Sequence, residues 1–228
     1  MSDARPDSRS AILARLRAAG SGGPLPDLDT AVLERRRWTP AERVRRLRQG
    51  MEAIHAEFLE ARPDDWPAVI RAFCEREGLR TLLFGPTTEA GRRLAEAMAG
   101  SATTLRPYDA PVETFKAELF QSVDAGFTTT LGGVAETGGL LLAPGPREPR
   151  LLSLVPPLHL ALLRASTIHD TLWSAIRALG WGQAAPQNAL MISGPSKTAD
   201  IEQTLAYGVH GPKRLVVALV DDLPGSPK

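Results

Sequence analysis

The chain has 228 residues, 43% hydrophobic and 23% charged, with a formal net charge of +1. This is globular composition with enough apolar surface for a core, and it supplies no field that would draw nucleic acid or an anionic membrane; two Tyr and six Phe leave few rings for stacking bases. A single cysteine, Cys74, excludes an internal disulfide, a cysteine-based zinc site and a protein-ligated iron–sulfur cluster.

In chain order, "MSDARPDSRSAILARLRAAG" carries acidic residues early and lacks the apolar centre of a signal peptide. No run approaches the roughly 18 apolar residues of a membrane span, so the sequence points to a soluble, cytoplasmic protein. Residues 8–19 predict a short amphipathic helix with Ile12, Leu13 and Leu16 on one side, followed by a flexible break, "GSGGPLPD", at 20–27. "TPAE" at 39–42 supplies an N-cap Thr, a Pro at the first helical position and an acidic third residue, predicting a long helix from Thr39 to about Ala61. The basic runs "RRRW" and "RVRRLR" are interleaved with Glu34, Glu42 and Glu52 and read as a solvated helix face. "RPDDWP" turns the chain into a helix over 65–77 that ends at Gly78, with Cys74 on its apolar side. Residues 1–78 thus read as a helical appendage.

From residue 79 short apolar runs alternate with helices: "LRTLLFG", then a capped helix in "TTEAGRRLAEAMAG", then "TTLRPYD", "VETFKAELFQS" and "DAGFTTT". This alternation predicts an α/β fold over 79–228, with a parallel-rich central sheet flanked by helices. The middle is richer in strands, "GGLLLAPG" at 138–145 and "LHLALLRA" at 158–165, so the sheet is mixed there. A helix over 167–180, a strand "ALMI" at 189–192 and a final strand "RLVVALV" complete the pattern.

In such a sheet ligands bind beyond the carboxyl ends of the strands. Four places qualify. The turn "FGPTTEAG" at 84–91 opens a helix whose free N–H groups suit an anion, although plain capping by Thr87 or Thr88 explains it. "GGVAETGG" sets Glu136 and Thr137 among glycines including Gly138; Glu136 is either a candidate nucleophile or base, or a solvated turn residue. Arg147 and Arg150 lie on a stiff Pro-rich loop, suited to a carboxylate or phosphate or simply to surface charge. The stretch "SGPSKTADIEQTLAYGVHGP" at 193–212 reads as a crossover with a short helix, Asp200 and Gln203 at capping-box spacing, Ile201 and Leu205 facing inward and Gly208 as its end. Capping and turn geometry explain Asp200, Gly208, Gly211 and Pro212, but a crossover does not need Ser193, Ser196, Thr198, Glu202 and His210 all together; with Gly194, Asp200 and Gly211 these mark a ligand site for a small carboxylate or phosphorylated molecule.

That stretch, followed by "LVVALVDD", resembles the C-terminal signature of the LutC/YkgG family of lactate utilization proteins, which carry the LUD domain. The likeness continues upstream through "DAGFTTTLGGVAETGGLLLAPGPREPRLLSLVPPLHLALLRAS" and covers most of 79–222. It implies a fold of the NagB/RpiA/CoA-transferase type. It also implies a part in oxidising L-lactate to pyruvate, as one of three components whose other two resemble iron–sulfur subunits. No cofactor is expected on this chain, where no motif suits a flavin or nicotinamide. Related folds include CoA transferases that use a Glu as acyl acceptor, and Glu136 is the residue here for that role by fold analogy.

Overall fold

A computed structural model describes residues 7–18, 30–199, 205–208 and 210–225. The chain forms two compact units, residues 1–35 and 36–228. The first carries α1 (Ser8–Ala18) and α2 (Ala31–Glu34).

The second unit begins with α3 (Pro40–Glu52), whose Thr39 N-cap closes a capping box with Glu42 as the sequence predicts. The helix does not reach Ala61. It stops at Glu52; His55 takes a positive φ of 70°, and β1 (Glu57–Ala61) follows. "EAIHAEFLEA" is rich in helix formers, but pairing with a distant strand overrides local propensity. The all-helical reading of 1–78 is therefore corrected. A strand from that segment belongs to the main sheet, and the compact units divide at Arg35, not at Gly78.

There follow α4 (Trp66–Glu77), closed by Gly78, then β2 (Thr81–Phe84), α5 (Glu89–Ala97), β3 (Thr104–Pro107), α6 (Lys116–Gln121) and β4 (Ala125–Thr129). Next come β5 (Gly132–Val134), β6 (Gly139–Leu142), α7 (Leu151–Leu154), β7 (Leu158–Arg164), β8 (Ile168–His169) and α8 (Leu172–Ala178). The described chain ends with β9 (Leu190–Ile192), β10 (Lys197–Ala199), β11 (Leu205–Tyr207) and β12 (Arg214–Val220).

Six strands make a wholly parallel sheet in the order β1-β12-β7-β4-β2-β3. Its faces follow the period-2 rule. On one face Leu160, Leu162, Val216 and Ala218 meet α4 and α5 through Trp66, Ile70, Phe73 and Leu94, with Trp66 stacked on Phe127 at 5.9 Å between ring centroids. On the other, Ala161, Leu163, Val217 and Leu219 meet Leu47 and Met51 of α3 and Leu140 and Leu142 of β6. Farther along that face, Leu83 packs with Leu119 of α6 and Leu152 of α7. The mixed middle is a separate sheet, β8-β5-β6-β9, with β5 antiparallel to β6 and β6 antiparallel to β9. The expected parallel-rich α/β architecture is present.

The crossover helix is not. Lys197–Ala199 and Leu205–Tyr207 pair as an antiparallel ribbon, with Gly208 N–H donating to Ser196 O at 2.9 Å instead of ending a helix. Helical spacing in a short segment is a weak constraint where two backbone edges can pair. Ile201 lies outside the described residues.

Candidate functional site

The base of the β10–β11 ribbon is fastened by its backbone. Ser196 N–H donates to Pro212 O at 2.8 Å, and Lys213 N–H donates to Pro157 O at 2.8 Å, at the entry to β7. These bonds draw Gly194, Ser196, His210 and Gly211 around a cavity of about 150 Å³ whose floor includes His159 and Leu215. Both floor residues are the second residues of their strands. The cavity therefore opens at the amino ends of β7 and β12, opposite to the end expected from the sheet rule.

His159 is the unusual group. It is buried, and its Nε2 lies 2.8 Å from the Thr128 hydroxyl on β4. Its Nδ1 is buried and finds no hydrogen-bond partner among the described residues. Burial alone pulls its pKa down to about 3, so the ring is neutral at physiological pH. A neutral imidazole held at one nitrogen keeps one hydrogen bond to give or accept at the other, and a buried polar atom without a partner costs stability unless water or a ligand meets it. His210, at the rim, is exposed. The sequence signal for His159 is a lone His in the apolar run "LHLALL", a pattern that reads as a strand.

Glu136, Thr137 and Gly138 form the turn between β5 and β6 and do not line this cavity. The Glu136 carboxylate pairs with the exposed Arg36 guanidinium, and its amide donates to Asp170 O at 3.0 Å. Asp170 in turn accepts from Arg43 and from the Trp38 amide at 2.8 Å. Gly138 has a φ of +64°, and a Cβ there would stand 2.9 Å from the Gly50 backbone of α3. Its place is explained by that close approach to a helix. Ser193 sits beside the hairpin, its hydroxyl 3.4 Å from where a Gly139 Cβ would be. Thr198 contributes backbone to β10; Asp200 and Glu202 lie outside the described residues. The nominated residues thus fall into two groups, a hairpin turn tied to α3 and a histidine cavity.

Among the described residues no group of three or more His, Cys, Asp or Glu side chains gathers to hold a metal ion, and no helix is long and apolar enough to cross a membrane. Cys74 lies in the core with its thiol pushed up to about 12 by burial, which makes it a poor ligand or nucleophile.

The LUD domain model matches residues 44–220. An uncharacterized protein of Neisseria meningitidis, NMB1437, is 36% identical over 93% of each chain. Lactate utilization protein C of an Exiguobacterium species is 29% identical over 75% of this chain and 74% of its own. A crystal structure of a DUF162 family protein from Deinococcus radiodurans superposes with a TM-score of 0.62 at 21% identity, covering 81% of this chain and 99% of that one, a likeness of fold. The LUD match starts at residue 44, inside α3, and takes in β1, in keeping with the strand that residues 57–61 add to the sheet. The chain belongs to the LUD-domain family of LutC/YkgG proteins.

Proposed function

We propose that this chain serves lactate utilization in the cytoplasm, as the LUD-domain component of a system that oxidises L-lactate to pyruvate. Its role is accessory or assembly, with the iron–sulfur clusters carried by partner subunits. The carrying observation is the match across about three quarters of both chains to relatives named lactate utilization protein C. Removing two electrons and two protons from lactate requires an acceptor, and the one thiol of this chain is spent in the core. Deletion of the gene, with growth on L-lactate as sole carbon source and affinity purification of the tagged chain, tests this. Loss of growth, rescue by the intact gene and recovery of cluster-bearing partners are expected; unimpaired growth overturns it.

A second reading is supported by the cavity that His159, whose Nδ1 has no hydrogen-bond partner among the described residues, lines together with Ser196 and His210: a small-molecule-binding enzyme or sensor for a carboxylate or acyl ligand. Calorimetric titration with lactate, pyruvate and acetyl-CoA separates the two. Saturable heat that disappears in Ser196→Ala and His210→Ala supports it, and absence of heat with all three refutes it. Glu136→Gln then tests the acyl-acceptor analogy, since that carboxylate stands outside the cavity.

A further inference from the structure

On the opposite face and at the opposite end of the main sheet lies a second, larger cavity of about 290 Å³. It is bounded by the carboxyl ends of β4 and β7 and by the first turn of α5, and three arginines from three separate elements line it. They are Arg93 of α5, Arg147 of the loop after β6 and Arg164 at the end of β7.

Each is held differently. Arg93 Nη2 donates to Pro63 O at 2.7 Å and its guanidinium lies 5.3 Å above the Trp66 ring, which leaves other N–H groups unspent. Arg164 approaches Asp222 only to 3.8 Å, while that carboxylate accepts shorter bonds from the Ser166 amide (2.8 Å) and hydroxyl (2.6 Å). Arg147 makes no ion pair among the described residues, yet its backbone is fixed. Its carbonyl lies 2.2 Å from where a Gly85 Cβ would stand, so only glycine lets the two loops meet. The next residue, Glu148, accepts from the Thr129 amide and, at 2.7 Å, from the Thr129 hydroxyl. The loop therefore presents its guanidinium from a rigid seat.

Two backbone donors lie at the same end. The Glu89 and Ala90 amides, in the first turn of α5, take no hydrogen bond among the described residues, whereas the Gly91 amide is already capped by Thr88. The ring of Trp66, 5.3 Å beneath the Arg93 guanidinium, also lines the cavity, and its indole Nε1 is buried without a hydrogen-bond partner among the described residues. Among the lining residues the one carboxylate is that of the exposed Glu89; Asp222, 3.8 Å from Arg164, stands outside the lining. Guanidinium forks and free helix amides match the oxygens of a tetrahedral dianion better than those of a neutral ligand.

We infer that this cavity binds a small phosphate-bearing molecule, its phosphate held by Arg93, Arg147, Arg164 and the start of α5 and its remainder lying against Trp66 and Leu162. The inference rests on the arginines and stands independently of the lactate reading. Titration of the full chain with inorganic phosphate, glycerol 3-phosphate and ADP, at low ionic strength and followed by calorimetry and tryptophan fluorescence, tests it. Saturable binding of at least one phosphate ester is expected, weakened at least about tenfold in Arg147→Gln and unchanged in Arg150→Gln, which is also on the loop but outside the cavity. Arg93→Gln provides a second variant, and circular dichroism checks folding in each. Binding of inorganic phosphate alone overturns the metabolite assignment. No binding of any of the three, or binding equally strong in Arg147→Gln and Arg93→Gln, overturns the site.

Discussion

Arg43 grips Asp170 with two parallel bonds, Nε to Oδ1 at 2.9 Å and Nη2 to Oδ2 at 3.0 Å, and so ties α3 to the end of β8. Asp170 is buried and also accepts the Trp38 amide. Asp170→Ala leaves a half-buried guanidinium and an amide without their acceptor, and is expected to cost about 2–4 kcal/mol in urea denaturation. Asp170→Asn, which keeps an acceptor for the amide, costs less. Equal losses in the two variants would show that the amide bond contributes nothing.

Gly138→Ala is expected to destabilise the second unit by more than about 2 kcal/mol, because its positive φ and its contact with the Gly50 backbone penalise the same methyl. Thermal unfolding measures this. A neutral result would show that α3 can move away from the hairpin at little cost.

The buried His159 makes stability depend on pH in a defined direction. Its pKa falls from 6.5 to about 3 on folding, so between those values the unfolded chain binds a proton that the native chain does not. Stability therefore rises with pH across that window and is lost as pH falls through 6.5 towards 3. The half-buried His169, whose pKa is lowered by burial and by the neighbouring Arg43, acts in the same sense. His159→Gln should flatten the dependence of the urea midpoint on pH between about 4 and 6.5, where one proton is taken up on unfolding. An unchanged slope argues against a neutral buried ring.

Glu148 acts oppositely. Burial raises its pKa despite the bonds from Thr129, so the native state holds its proton more tightly than the unfolded state. That contribution is present below the ordinary value of 4.5 and is lost as pH rises through the folded pKa. Glu148→Gln, still an acceptor for Thr129, should be relatively more stable than the parent at pH 7 than at pH 4. The same urea midpoints compare the two, and a constant difference across pH counts against the raised pKa.

The parts of the fold legible in the sequence are those written locally. The Thr39 box, the Thr88 cap, the Gly78 stop and the apolar run of β12 each carry their signal within a few residues. β1 was illegible because "EFLEA" alternates too weakly to announce a strand and gains its order from pairing with residues about 160 positions away. The ribbon of β10 and β11 was misread for a related reason: a capping-box spacing reads the same whether or not a helix follows it. Of the candidate residues, Ser196 and His210 line one cavity, because both flank the turn that leads into β12. The grouping of Arg93, Arg147 and Arg164 could not be read, since strand order alone brings a helix, a loop and a strand end together.

The last strand among the described residues does not lie at the edge of the sheet. β12 lies between β1 and β7 and is the neighbour that connects β1 to the rest. During synthesis, residues 57–61 therefore emerge long before their hydrogen-bonding partner exists. The main sheet closes only once residues 214–220 have left the ribosome, so a chain halted before residue 214 would hold an orphaned edge and an exposed apolar slot where β12 belongs.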